Sequence, residues 1–184
     1  ADQTPMVIMD FGRHRTSFIV LAGGAIILTR TIPIGGAAME DAIAKVLQVS
    51  AEEAEQIKKE VGLHRTMHDG KVFEALTMMV STLVDELRRT MLFYRDHAEH
   101  HHGIASDIGK ILLAGGEANL FGLDTYLVSS LKIPVEVLSP FTALRPYLTF
   151  SVPPMLYSET LAYAVAIGLA LHGVNRITSN NGIS

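Results

Sequence analysis

The stretch DFGRHRTS, Asp10 to Ser17, joins two apolar runs and packs an acid, a glycine, three basic residues and a hydroxyl into one short turn. A carboxylate at the end of a strand can hold a magnesium ion through water, and turn amides together with the Thr16 hydroxyl can hydrogen-bond phosphate. Arg13 and Arg15 can grip phosphate bidentately, but with His14 they stand where glycines would allow closer backbone approach. A second stretch, AGGEANLFGL, Ala114 to Leu123, offers Gly115 and Gly116 as a place where a nucleoside can come close to the backbone, because no Cβ obstructs it. Either turn alone is also what an ordinary structural turn looks like; their order and spacing in one chain carry the information. HAEHHH, His97 to His102, sets His97 and His101 at the four-residue helical spacing that suits a transition metal. Nothing nearby completes an obvious ligand set, so the run reads as a solvated helix end.

These turns need elements to hold them. MVIMDF, TSFIVLA and AIILTRTIPI read as three short strands, and connections as tight as Gly12–Arg15 and Gly23–Gly24 force antiparallel neighbours. After IPIGG the period becomes helical, with Met39, Ile43, Val46 and Leu47 on one face. SAEEAEQIKKEVGL carries Ser50 and Glu53 as a capping box and Gly62 as a C-terminal stop. From Lys71 to about His97 the apolar residues Phe73, Leu76, Met79, Val80, Leu83, Leu87, Met91 and Tyr94 step by three and four along a long helix. ILLA, the glycine pair, a leucine-faced helix and PVEVL then make a right-handed parallel crossover. A closing helix is expected at Ser158–Gly173 and a frayed tail at 175–184. The fold class is α/β: a mixed five-stranded sheet, three antiparallel strands followed by parallel ones, flanked by helices. One domain over 1–174 is expected, with a helical insertion or subdomain at about 36–70. Ligands of open α/β sheets bind at the carboxyl rim, and that is where both glycine turns fall.

Composition narrows the function. With 184 residues, 48 % of them hydrophobic, the chain can bury a sizeable core. A net charge of −4, from 19 acidic against 15 basic residues, argues against nucleic acid or an anionic membrane as partner. FIVLAGGAIIL is about half the ~20 residues a spanning helix needs and is broken by Gly23–Gly24, so it reads as buried strands and direct membrane insertion is not expected. There is no cysteine, hence no disulfide, thiolate metal site or thiol nucleophile. A cytoplasmic location is the simplest expectation.

In this order, DFGRHRTS, TIPIGGAAMEDAIAK, AEQIKKEVG, ELRRTMLFYRDH, ILLAGGEANLFGLDTYLVSSLKIPVEVLSP and AYAVAIGLALHG resemble the second half of the actin-like ATPase superfamily, most closely the type IV pilus assembly protein PilM family, with FtsA and MreB as relatives. The fold this implies is an actin-like, ribonuclease H-like half. The resemblance implies that Asp10, Gly12 and Thr16 face phosphate and metal, that Glu55 and Lys58 approach the ribose or base, and that Gly115, Gly116 and Glu117 pack against the nucleoside. ATP or ADP with magnesium is the implied ligand, and a PilN-like inner-membrane protein the implied partner, with self-association also in view. The chain would then sit in the cytoplasm, peripheral to the inner membrane through its partners. An ATP-binding division or filament protein like FtsA or MreB is the alternative, although NRITSNNGIS shows no apolar face of the kind an FtsA membrane helix presents. In the superfamily the nucleotide cleft lies between two domains, of which the first would precede Ala1. Half a cleft leaves polyphosphate open to water on one side, so feeble or undetectable hydrolysis is expected of this chain alone.

Overall fold

The computed structural model describes residues 4–98 and 107–138, together with helical positions 166 and 168–170. By its internal packing the chain divides into two units, Ala1–Val137 and Leu138–Ser184. The first contains every element needed for the rim. Strands β1 (Met6–Phe11), β2 (Thr16–Ala22) and β3 (Ala25–Ile32) are followed by helices α1 (Gly36–Leu47), α2 (Ala51–Val61) and α3 (Lys71–Ala98). Then come β4 (Lys110–Ala114), α4 (Leu123–Leu131) and β5 (Val135–Val137), with single 3-10 turns at Met67–Gly70 and Gly116–Asn119.

The five strands lie in the order β3-β2-β1-β4-β5. β2 is antiparallel to both β1 and β3, and β4 is parallel to both β1 and β5, as the lengths of the connections require. Alternation along β1 and β2 puts Val7, Met9, Phe11, Thr16, Phe18, Val20 and Ala22 on a fully buried face, while Met6, Ile8, Asp10, Ile19 and Leu21 share the half-buried one. Ile111 and Leu113 of β4 and Leu123 and Leu127 of α4 complete the core with the buried stripe of α3.

That stripe runs Val72, Leu76, Val80, Leu83, Val84, Leu87, Thr90, Tyr94, Ala98. It is rotated slightly from the sequence expectation, so Phe73, Met79 and Met91 end up half-buried at its margin. The expectation of buried strands on both sides of Gly23–Gly24 holds for β2 and fails for β3. Ile26 is 66 % exposed and Ile27 47 %, because β3 pairs only with β2 and lies at the sheet's edge. On α1 the buried positions are Gly36, Met39, Glu40 and Ile43, whereas Val46 is exposed. α2 follows its sequence signals closely: Ser50 accepts from the Glu53 amide, the Glu53 carboxylate accepts from the Ser50 amide at 3.0 Å, and Gly62 ends the helix. Of the histidine run, His97 is described, with its Nδ1 2.7 Å from the Phe93 carbonyl. His100, His101 and His102, most of the expected closing helix and the 175–184 tail lie outside the described residues.

Candidate functional site

β1 and β4 run parallel in register from Met6 opposite Lys110 to Asp10 opposite Ala114. Their carboxyl ends are therefore level, and the turn at Gly12 and the turn at Gly115–Gly116 leave the sheet side by side. Gly115 has φ +83, and a Cβ there would collide with the Phe11 carbonyl and come 2.7 Å from Asp10 Oδ1, so only glycine brings the two turns this close. The hairpin turn closes on itself through Gly12 N–H to the Arg15 carbonyl at 3.0 Å. It is then clasped by the start of α1, where Gly36 N–H donates to the Gly12 carbonyl at 3.1 Å and Ala37 N–H to the Arg13 carbonyl at 2.8 Å. Gly35 lies directly against that Arg13 carbonyl, which leaves no room for a side chain.

Over this rim the chain assembles four charged side chains from four segments. Arg13 of the hairpin meets Glu40 of α1, Nη2 to Oε2 at 3.0 Å. Lys58 of α2 donates to Glu40 Oε1 at 2.8 Å and to Glu117 Oε1, from the turn after β4, at 2.8 Å. Glu40 and Lys58 are both 4 % exposed as residues. Burial of Glu40 and Lys58 is tolerated because each faces an opposite charge, and removing one member strands the others at a cost of about 3–5 kcal/mol. Gly36 makes the arrangement possible, since a Cβ on it would overlap the Glu117 carboxylate. The far end of α2 is fastened to the same loop, with Leu63 N–H donating to the Phe121 carbonyl at 2.8 Å and Gly62 pressed against the Phe121 backbone.

Asp10, Gly12, Gly115, Gly116, Glu117 and Lys58 are thus gathered at one rim, and around Gly116 a Cβ would meet nothing within 4 Å. Glu55 sits at the margin, with Oε1 2.7 Å from Lys59 Nζ. The Lys59 hydrogen bond and charge hold its carboxyl below the usual value, with smaller contributions from Arg13 and Lys58. Glu55 and Lys58 do not share one environment: three residues apart, one turns inward and the other toward solvent. Thr16 stands apart from Asp10. It is fully buried opposite Phe11, on the other face of the sheet, and its hydroxyl donates to the Ile34 carbonyl at 2.6 Å. Among the described residues no three His, Asp or Glu side chains gather as a metal-ligand group.

Glu40 was not singled out by the sequence reading, nor were Gly35 and Gly36. The signal for Glu40 was a carboxylate inside the buried spacing Gly36, Met39, Glu40, Ile43, where a charge needs a partner. Its partners lie 18 and 27 residues away, a separation the pattern cannot supply.

A family model described as type IV pilus assembly protein PilM matches residues 1–174. The chain belongs to the PilM family. Among solved structures, the PilM-PilN type IV pilus biogenesis complex superposes with a TM-score of 0.72 at 27 % identity, covering 94 % of this chain and 46 % of that one. An MreB of Spiroplasma citri bound to AMPPNP gives 0.68 at 15 % identity, covering 98 % and 56 %. At that identity the likeness is one of fold, and the fold is the actin-like one. The cell division protein FtsA of Bacillus subtilis (strain 168) is 25 % identical over 148 residues, which is 73 % of this chain and 34 % of that protein. The chain spans about half of the PilM and MreB chains and a third of FtsA.

Proposed function

We propose that this chain is the second-half actin-like domain of a scaffold for type IV pilus assembly, acting at the cytoplasmic face of the inner membrane through a PilN-like partner. The observation that carries this reading is the PilM family match across 1–174, supported by the likeness to the chain solved in complex with PilN. No helix among the described residues is long and apolar enough to cross a membrane, which suits attachment through a partner. Co-purification with the PilN-like protein of the same organism tests the reading: a stable complex is expected, and a chain that passes the partner by under all salt conditions overturns it. An FtsA- or MreB-like filament role is the second reading, favoured by the FtsA match; concentration-dependent pelleting that requires nucleotide would support it.

The rim is proposed as a partial nucleotide site for ATP or ADP. Asp10 would hold magnesium through water, the turn amides after Gly12 would meet phosphate, and Gly115, Gly116, Glu117, Lys58 and Glu55 would border the nucleoside. Thr16 fits this role only by a change of partner, since its proton is engaged by Ile34. With one carboxylate and a few turn amides to hold the phosphates, weak binding and turnover no faster than a blank are the expected outcome. Titration with labelled ATP, with and without magnesium, checks this; metal-dependent hydrolysis abolished by Asp10→Ala would refute the turnover expectation.

A further inference from the structure

The contact between Arg13 and Glu40 is a two-toothed fork: Nη1 donates to Oε1 at 3.2 Å while Nη2 stands 3.0 Å from Oε2. This is the geometry by which a guanidinium grips a phosphate. The Arg13 side chain is 55 % exposed and that of Glu40 only 6 %, so the cation lies at the mouth of the rim and the anion beneath it. Glu40 is fixed from behind by Lys58, which is itself shared with Glu117. Two cations, Arg13 and Lys58, face two anions, Glu40 and Glu117, so the cluster sums to zero charge. A phosphate arriving here meets a fork already filled and no net positive charge from these four groups.

We infer that Glu40 is a built-in surrogate anion: it occupies the phosphate-gripping fork of Arg13 and sets the rim's selectivity against polyphosphate and toward the uncharged nucleoside. The inference rests on the reading of this rim as a nucleotide site and names the residue that decides which part of the nucleotide it holds. Polyphosphate must first displace Glu40 from Arg13, and once Arg13 leaves, Glu40, Lys58 and Glu117 carry a net negative charge that opposes the incoming anion. Adenosine, which carries no phosphate, meets neither obstacle. Glu40 is a positioning residue here, acting through Arg13.

Glu40→Gln keeps the shape and an oxygen for Lys58, removes one negative charge and loosens the fork. The test is isothermal titration of the wild-type chain and this variant with tripolyphosphate, ADP and adenosine. Tripolyphosphate and ADP are expected to bind about fivefold more tightly to Glu40→Gln, the scale of one partly exposed ion pair, with the gain fading as salt rises. Adenosine affinity should not change, and adding Arg13→Gln should erase the gain. A merely structural Glu40 would weaken all three ligands together. Should Glu40→Gln fail to fold, Glu40→Asp carries the test, because it keeps the charge beside Lys58 while its shorter reach releases Arg13; a smaller gain for tripolyphosphate is expected. Unchanged or weakened tripolyphosphate binding in the folded variant overturns the inference. Absence of adenosine and ADP binding in every protein, with the tripolyphosphate gain intact, overturns the nucleotide reading instead and leaves the role of Glu40 standing.

Discussion

Lys58 and Lys59 are neighbours on α2, and each meets a glutamate at less than 3 Å, yet they do different things for the molecule. Lys59 pairs with Glu55 one turn back on the same helix, with both side chains in water at 57 % and 36 % exposure. Lys58 turns inward, where its side chain is 4 % exposed, and ties α2 to α1 through Glu40 and to the loop after β4 through Glu117. The outer pair joins residues that helix geometry already makes adjacent, so it adds little and is screened by salt. The inner cluster joins segments far apart in the chain, and water cannot replace a missing partner there. A salt bridge therefore counts for where it lies, not for how short it is.

The sharpest way to break this comparison is to make both lysines methionine, one at a time. Lys58→Met takes from the buried Glu40 and the part-buried Glu117 the cation they share and should cost about 3–5 kcal/mol in chemical denaturation; Lys59→Met should leave the denaturation midpoint nearly unmoved. Equal losses would erase the distinction. Next in size is the close approach of the hairpin to α1. Gly35→Ala drives a methyl into the Arg13 carbonyl and should cost about 1–3 kcal/mol, while Gly116→Ala, with open space around it, should stay within about 0.5 kcal/mol. A silent Gly35→Ala would mean that the turn is not held where the rim needs it. Smaller again, Ser50→Ala removes the cap of α2 and should lower stability by about 1 kcal/mol, loosening both lysines together. The smallest effect is that of pH on the outer pair. Lys59 lowers the Glu55 pKa in the folded chain, so the stabilisation is complete above the ordinary glutamate range and is lost as pH falls through the lowered folded value. Glu55→Gln should therefore differ from wild type slightly at neutral pH and not at all in acid, read from melting temperatures across pH; a difference that grows on acidification would reverse the sign.

Much of the scaffold was legible because it is written locally. MVIMDF and TSFIVLA mark β1 and β2 residue for residue, and the Ser50–Glu53 box with Gly62 fixes α2, since capping and alternation act between residues close in the chain. The common rim rests on β1 and β4 lying side by side and parallel, which levels their carboxyl ends. Hairpin register was harder. Phe11 opposite Thr16 assigns the hydroxyl to the opposite face from Asp10, and spacing within DFGRHRTS does not reveal that. The exposure of β3 escaped for a related reason: an apolar strand at an edge and one in the middle share the same composition.

The sequence by itself determined the order of elements, the two glycine turns, the capped helix and the kinship with PilM. Only the tertiary structure decided that Arg13, Glu40, Lys58 and Glu117 form one neutral cluster, and that Lys58 rather than Lys59 belongs to it. The physical reason is that local patterns specify which way a side chain faces within its own element. Pairing of buried charges depends on distances between elements, set by core packing and by glycines such as Gly35, Gly36 and Gly115, whose missing side chains let those elements touch.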